Sequence, residues 1–195
     1  MKEIFLLLGS NRGDRPVILE QAKKIITKQC GSIIRKSSLY ETEPWGFKDN
    51  ISFINQVIEI ETEMDPQKLM TQLLTIETNL GRIRNKPFTP TTNSELSPDP
   101  HNVRHAESCI PDRERKEPYS PRTLDIDILF YGPKMIFTQD LMIPHPHLHE
   151  RRFTLEPLNE IAPAFIHPVL KKNIKTLLEY CTDKKKVLKY IGNRQ

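Results

Sequence analysis

At 195 residues and 22.8 kDa the chain has room for one substantial core. Its 37% hydrophobic and 28% charged residues exclude a compositionally disordered protein. A mean hydropathy of −0.52 with no long apolar run excludes a membrane span. The net charge of +4 suits an anionic small ligand but is too mild for a nucleic-acid binder. The cysteines at 30, 109 and 181 are too scattered for a disulfide framework or zinc knuckle, so they read as idle thiols.

Residues 4–8 read as a short buried strand ending at Gly9-Ser10-Asn11. The apolar run is too short for a signal peptide and polar residues follow at once, so a cytoplasmic location is expected. Asp14 is placed to cap a helix with Pro16 in its first turn, and Ile18, Ala22, Ile25 and Ile26 recur at helical spacing up to a stop at Gly31. A strand over 32–40 leads to a loop carrying Glu43-Pro44-Trp45-Gly46. A second strand follows over 53–62, with Ile54, Gln56, Ile58 and Ile60 on one face and Phe53, Asn55 and Val57 on the other.

Asp65-Pro66 opens another helix with the stripe Leu69, Leu73, Ile76 and Leu80, stopped at Gly81. A strong strand over 123–131, a short pairing strand over 134–137, a helix over 174–181 and a strand over 187–191 complete the chain. The order β-α-β-β-α-β points to an α+β, ferredoxin-like core, with helices on one side of a mainly antiparallel sheet. Residues 85–121 contain no glycine and seven of the sixteen prolines, and their apolar periodicity vanishes. A single domain over residues 1–195 is expected, with a long mobile insertion at about 85–121.

The most informative stretch is Arg122-Thr123-Leu124-Asp125-Ile126-Asp127-Ile128. On a strand, Asp125 and Asp127 share a face with Cα atoms about 6.6 Å apart. Carboxylates about 7 Å apart repel by roughly 2 kcal/mol at an effective dielectric of about 20, which calls for a cation. Hard oxygen ligands with open positions suit Mg²⁺ bound together with substrate phosphates. Arg82, Arg84, Arg122, Arg151 and Arg152 supply planar forks that match phosphate oxygens. Phe53 and Asn55 share a strand face that the loop at 42–46 can fold beside, a setting for a flat hydrogen-bonding heterocycle. His145, His147 and His149 tempt a zinc reading, but Pro144 and Pro146 interrupt any regular element that would converge them. A histidine donating to phosphate fits better. No Walker loop and no Gly-x-Ser-x-Gly elbow is present. An RNA-binding module of the same element order is disfavoured, because acids on a central face repel a phosphate backbone.

The ordered series Leu8-Gly9-Ser10-Asn11, Tyr40-Glu41-Thr42-Glu43-Pro44-Trp45-Gly46, Phe53-Ile54-Asn55-Gln56-Val57, Gly81-Arg82-Ile83-Arg84, Arg122-Thr123-Leu124-Asp125-Ile126-Asp127-Ile128, Pro144-His145-Pro146 and Glu150-Arg151-Arg152-Phe153 resembles the 6-hydroxymethyl-7,8-dihydropterin pyrophosphokinase family. The resemblance implies Mg²⁺-dependent transfer of a diphosphate from ATP to the pterin hydroxymethyl group, releasing AMP, in folate biosynthesis. It implies a pair of Mg²⁺ ions on Asp125 and Asp127, with Arg82 and Arg122 joining them as catalytic residues. Thr42, Pro44, Trp45, Gly46, Phe53, Asn55 and Phe153 become the pterin pocket. Glu77, Arg82, Arg84, Arg122, Ile128, His145 and Arg151 become the ATP contacts. It further implies helices on both faces of the sheet, and a monomer whose partners are small molecules, with no nucleic acid and no membrane. Two departures stand out: the family loop before Pro121 is usually short, and its usual Trp-Gly is Tyr119-Ser120 here.

Overall fold

In the computed structural model, which describes residues 3–46, 49–82, 122–138 and 140–192, the fold is organised around strand β1 (Ile4–Ser10), buried along its whole length. Alternate residues of a strand face opposite sides, so Ile4, Leu6 and Leu8 enter one core cluster while Phe5 and Leu7 enter another. Antiparallel neighbours flank β1: β5 (Asp125–Tyr131) on one side and β4 (Phe53–Glu61) on the other. The far edge of β4 carries both β2 (Ser32–Lys36) and β3 (Tyr40–Thr42), and β8 (Val187–Lys189) pairs beyond β3. The six-stranded sheet thus runs β5-β1-β4-β3-β8, leaving β5 on an edge. A separate ribbon pairs β6 (Ile136–Phe137) with β7 (Met142–Ile143).

Helices α1 (Arg15–Gln29) and α2 (Pro66–Asn79) begin as the sequence leads one to expect. Asp14 accepts the amide of Val17 and Asp65 that of Lys68, each with proline in the first turn. Their apolar stripes, Leu19, Ala22 and Ile26 with Leu69, Leu73 and Ile76, pack on the face of Leu6, Ile58 and Ile126. Two expectations need correction. The strand over 32–40 is broken at Ser37, whose hydroxyl accepts the Val57 amide at 3.1 Å and whose carbonyl accepts the Gln56 side chain at 2.6 Å. Helices also cover both faces, as the family resemblance implies and the element order alone does not. Helix α3 (Arg152–Ile161), absent from the sequence reading, and α4 (Ile174–Glu179) bury Leu155, Leu158, Ile174 and Leu177 against Phe5, Leu7 and Val57. Pro157 inside α3 disguises it, since proline normally marks a break. Each fully buried Leu or Ile contributes about 1.5–3 kcal/mol.

The pairing of β1 with β5 shifts by one residue between Phe5 and Leu6, opposite Phe130 and Ile128, leaving Leu129 as an extra residue. Such a bulge lets consecutive side chains share a face, and both Leu129 and Phe130 enter the cluster under α3 and α4. Before the bulge the alternation is regular, with Asp127 opposite Leu7 and Asp125 opposite Gly9.

His167 follows α3 and is buried against the Phe130 ring, with centroids 5.3 Å apart. Its Nδ1 accepts the amides of Val169 and Leu170, each at 3.2 Å. Its buried Nε2 finds no hydrogen-bond partner among the described residues. Burial, with smaller contributions from the charges of His149 and Lys171, pulls its pKa from 6.5 down to about 4. A depressed histidine binds more protons unfolded than folded, so its contribution to stability is full above pH 6.5 and is lost as pH falls toward 4. Replacing His167 by Asn, whose Oδ1 can accept the same amides, should remove roughly 3 kcal/mol of that pH dependence. Urea unfolding of both proteins at pH 7 and pH 4 checks this, and parallel slopes would count against it.

Candidate active site

Asp125 and Asp127 project from the same face of β5, opposite the buried Ile126 and Ile128. Both stay partly accessible, their side chains 19% and 23% exposed. Asp125 is gripped from both sides: Arg82 Nη1 contacts Oδ1 and Arg122 Nη1 contacts Oδ2. Arg82 also lies 2.7 Å from Glu77 Oε1. Glu77 is 1% exposed and accepts the Ile126 amide at 2.6 Å, which occupies a backbone donor on the open edge of β5. Burial would lower the Arg82 pKa, but the charges of Asp125, Glu77 and Asp127, with the Asp125 hydrogen bond, outweigh it and raise the pKa above the ordinary value.

The turn after β1 holds Arg122 in place. Asn11, fully buried, donates its amide to the Arg122 carbonyl at 3.1 Å and accepts the Arg122 amide on Oδ1 at 2.7 Å. Asp49 in turn accepts from Asn11 Nδ2 at 3.2 Å and from Arg12 at 2.8 Å. On the other side of Asp127, His145 Nε2 stands 3.9 Å from Oδ2. His145 Nδ1 accepts the His147 amide at 3.3 Å, so the neutral ring carries its proton on Nε2, toward the carboxylate. The three histidines do not converge on one point: the His147 ring stands edge-on to His145, with centroids 6.3 Å apart, and beside Glu150 and Trp45, whereas His149 lies beside His167. No cluster of three or more metal-ligating side chains forms among the described residues.

Gly9 lies between Asp125 on β5 and Asn55 on β4 in one cross-strand row. A Cβ there would stand 2.7 Å from Asn55 Oδ1, so glycine is what lets the amide lean over the strand. Asn55 Nδ2 donates to Thr42 Oγ1 at 2.7 Å, and Phe53 lies one pleat along the same face of β4. Beyond Thr42 the chain turns through Pro44, Trp45 and Gly46, whose φ of 80° is one that glycine tolerates. The Arg151 guanidinium stacks over Trp45 at 4.4 Å and lies 5.7 Å from the Phe153 ring. The structure therefore brings together Thr42, Pro44, Trp45, Gly46, Phe53 and Asn55 with Arg151 and Phe153 on one side of the acids, and Glu77, Arg82 and Arg122 on the other.

Ile128, expected among the ATP contacts, turns its side chain into the α1 and α2 core at 4% exposure. Strand alternation places it opposite Asp127, so only its main chain is left to meet a ligand. Arg84 and the insertion at about 85–121 lie outside the described residues. Asn11 and Asp49 join the site from outside the expected set: Asn11 sits in the Leu8-Gly9-Ser10-Asn11 motif, whereas Asp49 carries no local signal in the sequence.

The donor set matches a divalent cation. Asp127 presents a partly accessible carboxylate and Asp125 a second one whose oxygens a cation would share with or take over from Arg82 and Arg122; two such hard-oxygen groups leave positions for water or phosphate, the coordination Mg²⁺ prefers.

The family model described as 7,8-dihydro-6-hydroxymethylpterin-pyrophosphokinase (HPPK) matches residues 5–93 and 89–163. A 2-amino-4-hydroxy-6-hydroxymethyldihydropteridine pyrophosphokinase of Bacillus subtilis (strain 168) is 35% identical over 158 residues, 80% of this chain and 76% of that protein. The protein of the same name from Aquifex aeolicus (strain VF5) is 32% identical over 188 residues, 93% of this chain and 97% of its own length. A Pneumocystis carinii folic acid synthesis protein, fol1, is 33% identical over 92% of this chain, which spans only 20% of it. A Plasmodium falciparum HPPK-DHPS crystal structure with pteroate superimposes with a TM-score of 0.63 at 17% identity, over 91% of this chain and 44% of that one. At that identity the likeness carries the fold.

Glu77 gives a stability test of the charge cluster. Glu77→Ala should cost about 3 kcal/mol, because it strips a buried partner from Arg82 and from the Ile126 amide. Glu77→Gln, which keeps an acceptor for that amide, should cost less than half as much. Denaturant titration of the two variants separates these outcomes, and equal costs would mean that the backbone contact is unimportant.

Proposed function

Because the chain belongs to the 7,8-dihydro-6-hydroxymethylpterin-pyrophosphokinase family, we propose that it transfers a diphosphate from ATP to the hydroxymethyl group of 6-hydroxymethyl-7,8-dihydropterin, releasing AMP, as a step of folate biosynthesis. The observation that carries the reading is the pair Asp125 and Asp127 on one face of β5, with Arg82 and Arg122 already in contact with Asp125.

In the reaction the pterin hydroxymethyl group gives up its proton to solvent as its oxygen forms a bond to the β-phosphorus. The bond from that phosphorus to the α,β-bridging oxygen breaks, and AMP leaves with the electron pair. Asp125 and Asp127 are the residues that would hold a pair of Mg²⁺ ions, which supply charge neutralisation to the phosphates and lower the hydroxyl pKa. Arg82 and Arg122 present N–H forks suited to phosphate oxygens beside the same carboxylates. His145, whose Nε2 faces Asp127 while Nδ1 accepts the His147 amide, adds a ring N–H donor there, and Arg151 adds a third guanidinium between Trp45 and Phe153. Thr42, Pro44, Trp45, Gly46, Phe53, Asn55 and Phe153 frame the flat heterocycle, with Asn55 and the loop main chain as its polar partners. Holding the hydroxymethyl oxygen in line with the phosphate chain is itself a large part of such catalysis. Glu77 steadies Arg82, and the main chain of Ile128 is available at the strand edge for the nucleotide.

We read the protein as a cytoplasmic monomer acting on small molecules alone. Among the described residues no helix is long and apolar enough to cross a membrane.

With ATP, Mg²⁺ and the hydroxymethyl-dihydropterin, the purified protein should release AMP, followed by chromatography of the nucleotide products. Asp125→Ala or Asp127→Ala should lower kcat by roughly 10²-fold or more with the fold retained by circular dichroism. ADP as the product would make the protein a simple kinase. Near-normal turnover of either variant would remove that carboxylate from the metal site.

A further inference from the structure

The loop that bears Trp45 is held by a part of the chain distant in sequence. Residues 180–186, between α4 and β8, carry Asp183 and Lys185. The Lys185 ammonium donates to the Pro44 carbonyl, one residue before Trp45. Asp183 binds two ways: Oδ1 accepts the amide of Lys185 at 3.0 Å and Oδ2 accepts the amide of Arg152 at 3.2 Å. Arg152 is the first residue of α3, and its neighbours on either side are Arg151, which stacks on Trp45, and Phe153. Two residues after Lys185, β8 begins and pairs with β3, Val187 lying opposite Thr42.

One short segment therefore ties together both walls of the aromatic site, the loop after β3 and the start of α3. We propose that Lys185 and Asp183 are positioning residues for the heterocycle site: they fix the Pro44 carbonyl and the α3 N-terminus relative to each other, and with them the stacking of Trp45 on Arg151. The proposal rests on the pterin reading of that site. A loop carbonyl fixed by an ammonium makes a charge-assisted hydrogen bond, stronger than a neutral one and directional. Its loss frees the loop to sample orientations that misplace Trp45. That raises the cost of binding a flat ligand, because the ordering then has to occur on binding. The phosphate groups on β5 and after α2 share only Arg151 with this arrangement, and Arg151 adjoins the Arg152 amide held by Asp183 rather than the carbonyl held by Lys185, so loss of the Lys185 contact falls mainly on the heterocycle.

Trp45 is the only tryptophan in the chain, so its fluorescence reports this loop without interference from other indoles. Lys185→Ala should raise the KM for the hydroxymethyl-dihydropterin about tenfold. The KM for ATP and kcat should change less than twofold. In the ligand-free protein, acrylamide should quench Trp45 more strongly. Lys185→Arg, which keeps a cationic donor, should restore most of both effects. Unchanged quenching and unchanged pterin KM in Lys185→Ala would overturn the proposal. So would a lowered melting temperature with kcat and both KM values degraded together, which marks a merely structural role. If the wild-type protein released no AMP, the pyrophosphokinase reading would fall while the quenching comparison still decided whether Lys185 holds the loop.

Discussion

Two like charges on the same face of an edge strand are the constraint around which the rest of the site is arranged. Asp125 and Asp127 cannot sit together in a half-buried setting without cations, and the folded chain supplies them. Arg82 arrives from just beyond the end of α2 and Arg122 from the turn three residues before Asp125. Glu77 then extends the alternation of charge one step further into the interior. The result is a chain of opposite charges in which each guanidinium is already oriented, and the neighbouring carboxylates hold the Arg82 pKa above its ordinary value despite burial. An ion or phosphate entering such a cluster exchanges partners with groups already in place, so little reorganisation is required of the protein.

The two faces of the sheet are used differently. The face under α1 and α2 is apolar over most of its length, through Leu8, Ile54, Ile58, Ile126 and Ile128. The face under α3 and α4 changes character along the strands. Phe5, Leu7, Val57, Leu129 and Phe130 fill the part that those helices cover. Asp127 already stands in the row of Leu7 and Val57, and one row further on Asp125, Gly9 and Asn55 take over. Phe153, in the first turn of α3, packs at the margin of that apolar cluster with the Arg151 guanidinium 5.7 Å from its ring. Polar and charged side chains there keep contact with solvent, while the strands that carry them are anchored by buried neighbours a few ångströms away. A site mounted on such strands is held more rigidly than one built on loops. The aromatic wall at Pro44-Trp45-Gly46 is loop-borne, as are Arg82, Arg122 and His145, and that wall has its own ties.

Much of this was legible in advance. The caps at Asp14 and Asp65, the alternating faces of β4 and the shared face of the two acids follow from local geometry, and each stands where the spacing puts it. The strand over 32–40 was overextended because the Ser37 side chain competes for backbone partners on β4, which no local pattern reveals. Helix α3 was hidden by Pro157, although Leu155 and Leu158 already carried its buried face. The placement of Ile128 in the core was implicit in the alternation that put Asp127 on the other side. Lys185 sits in the run Lys184-Lys185-Lys186, which by itself describes a solvated stretch and nothing more.

From its residues alone the chain determined where α1 and α2 begin, which side chains of β4 and β5 share a face, and that two carboxylates would need a counter-charge, because these depend on backbone repeats over a few residues. The family likeness was carried by those same short motifs. Which cations answer the carboxylates, which turn clamps Arg122 and which distant segment holds the Trp45 loop were settled only in three dimensions. Arg82 and Asp125 are 43 residues apart, Asn11 and Arg122 are 111, and Pro44 and Lys185 are 141. Contacts across such separations depend on how sheet and helices close on one another, and that is a property of the packed core as a whole.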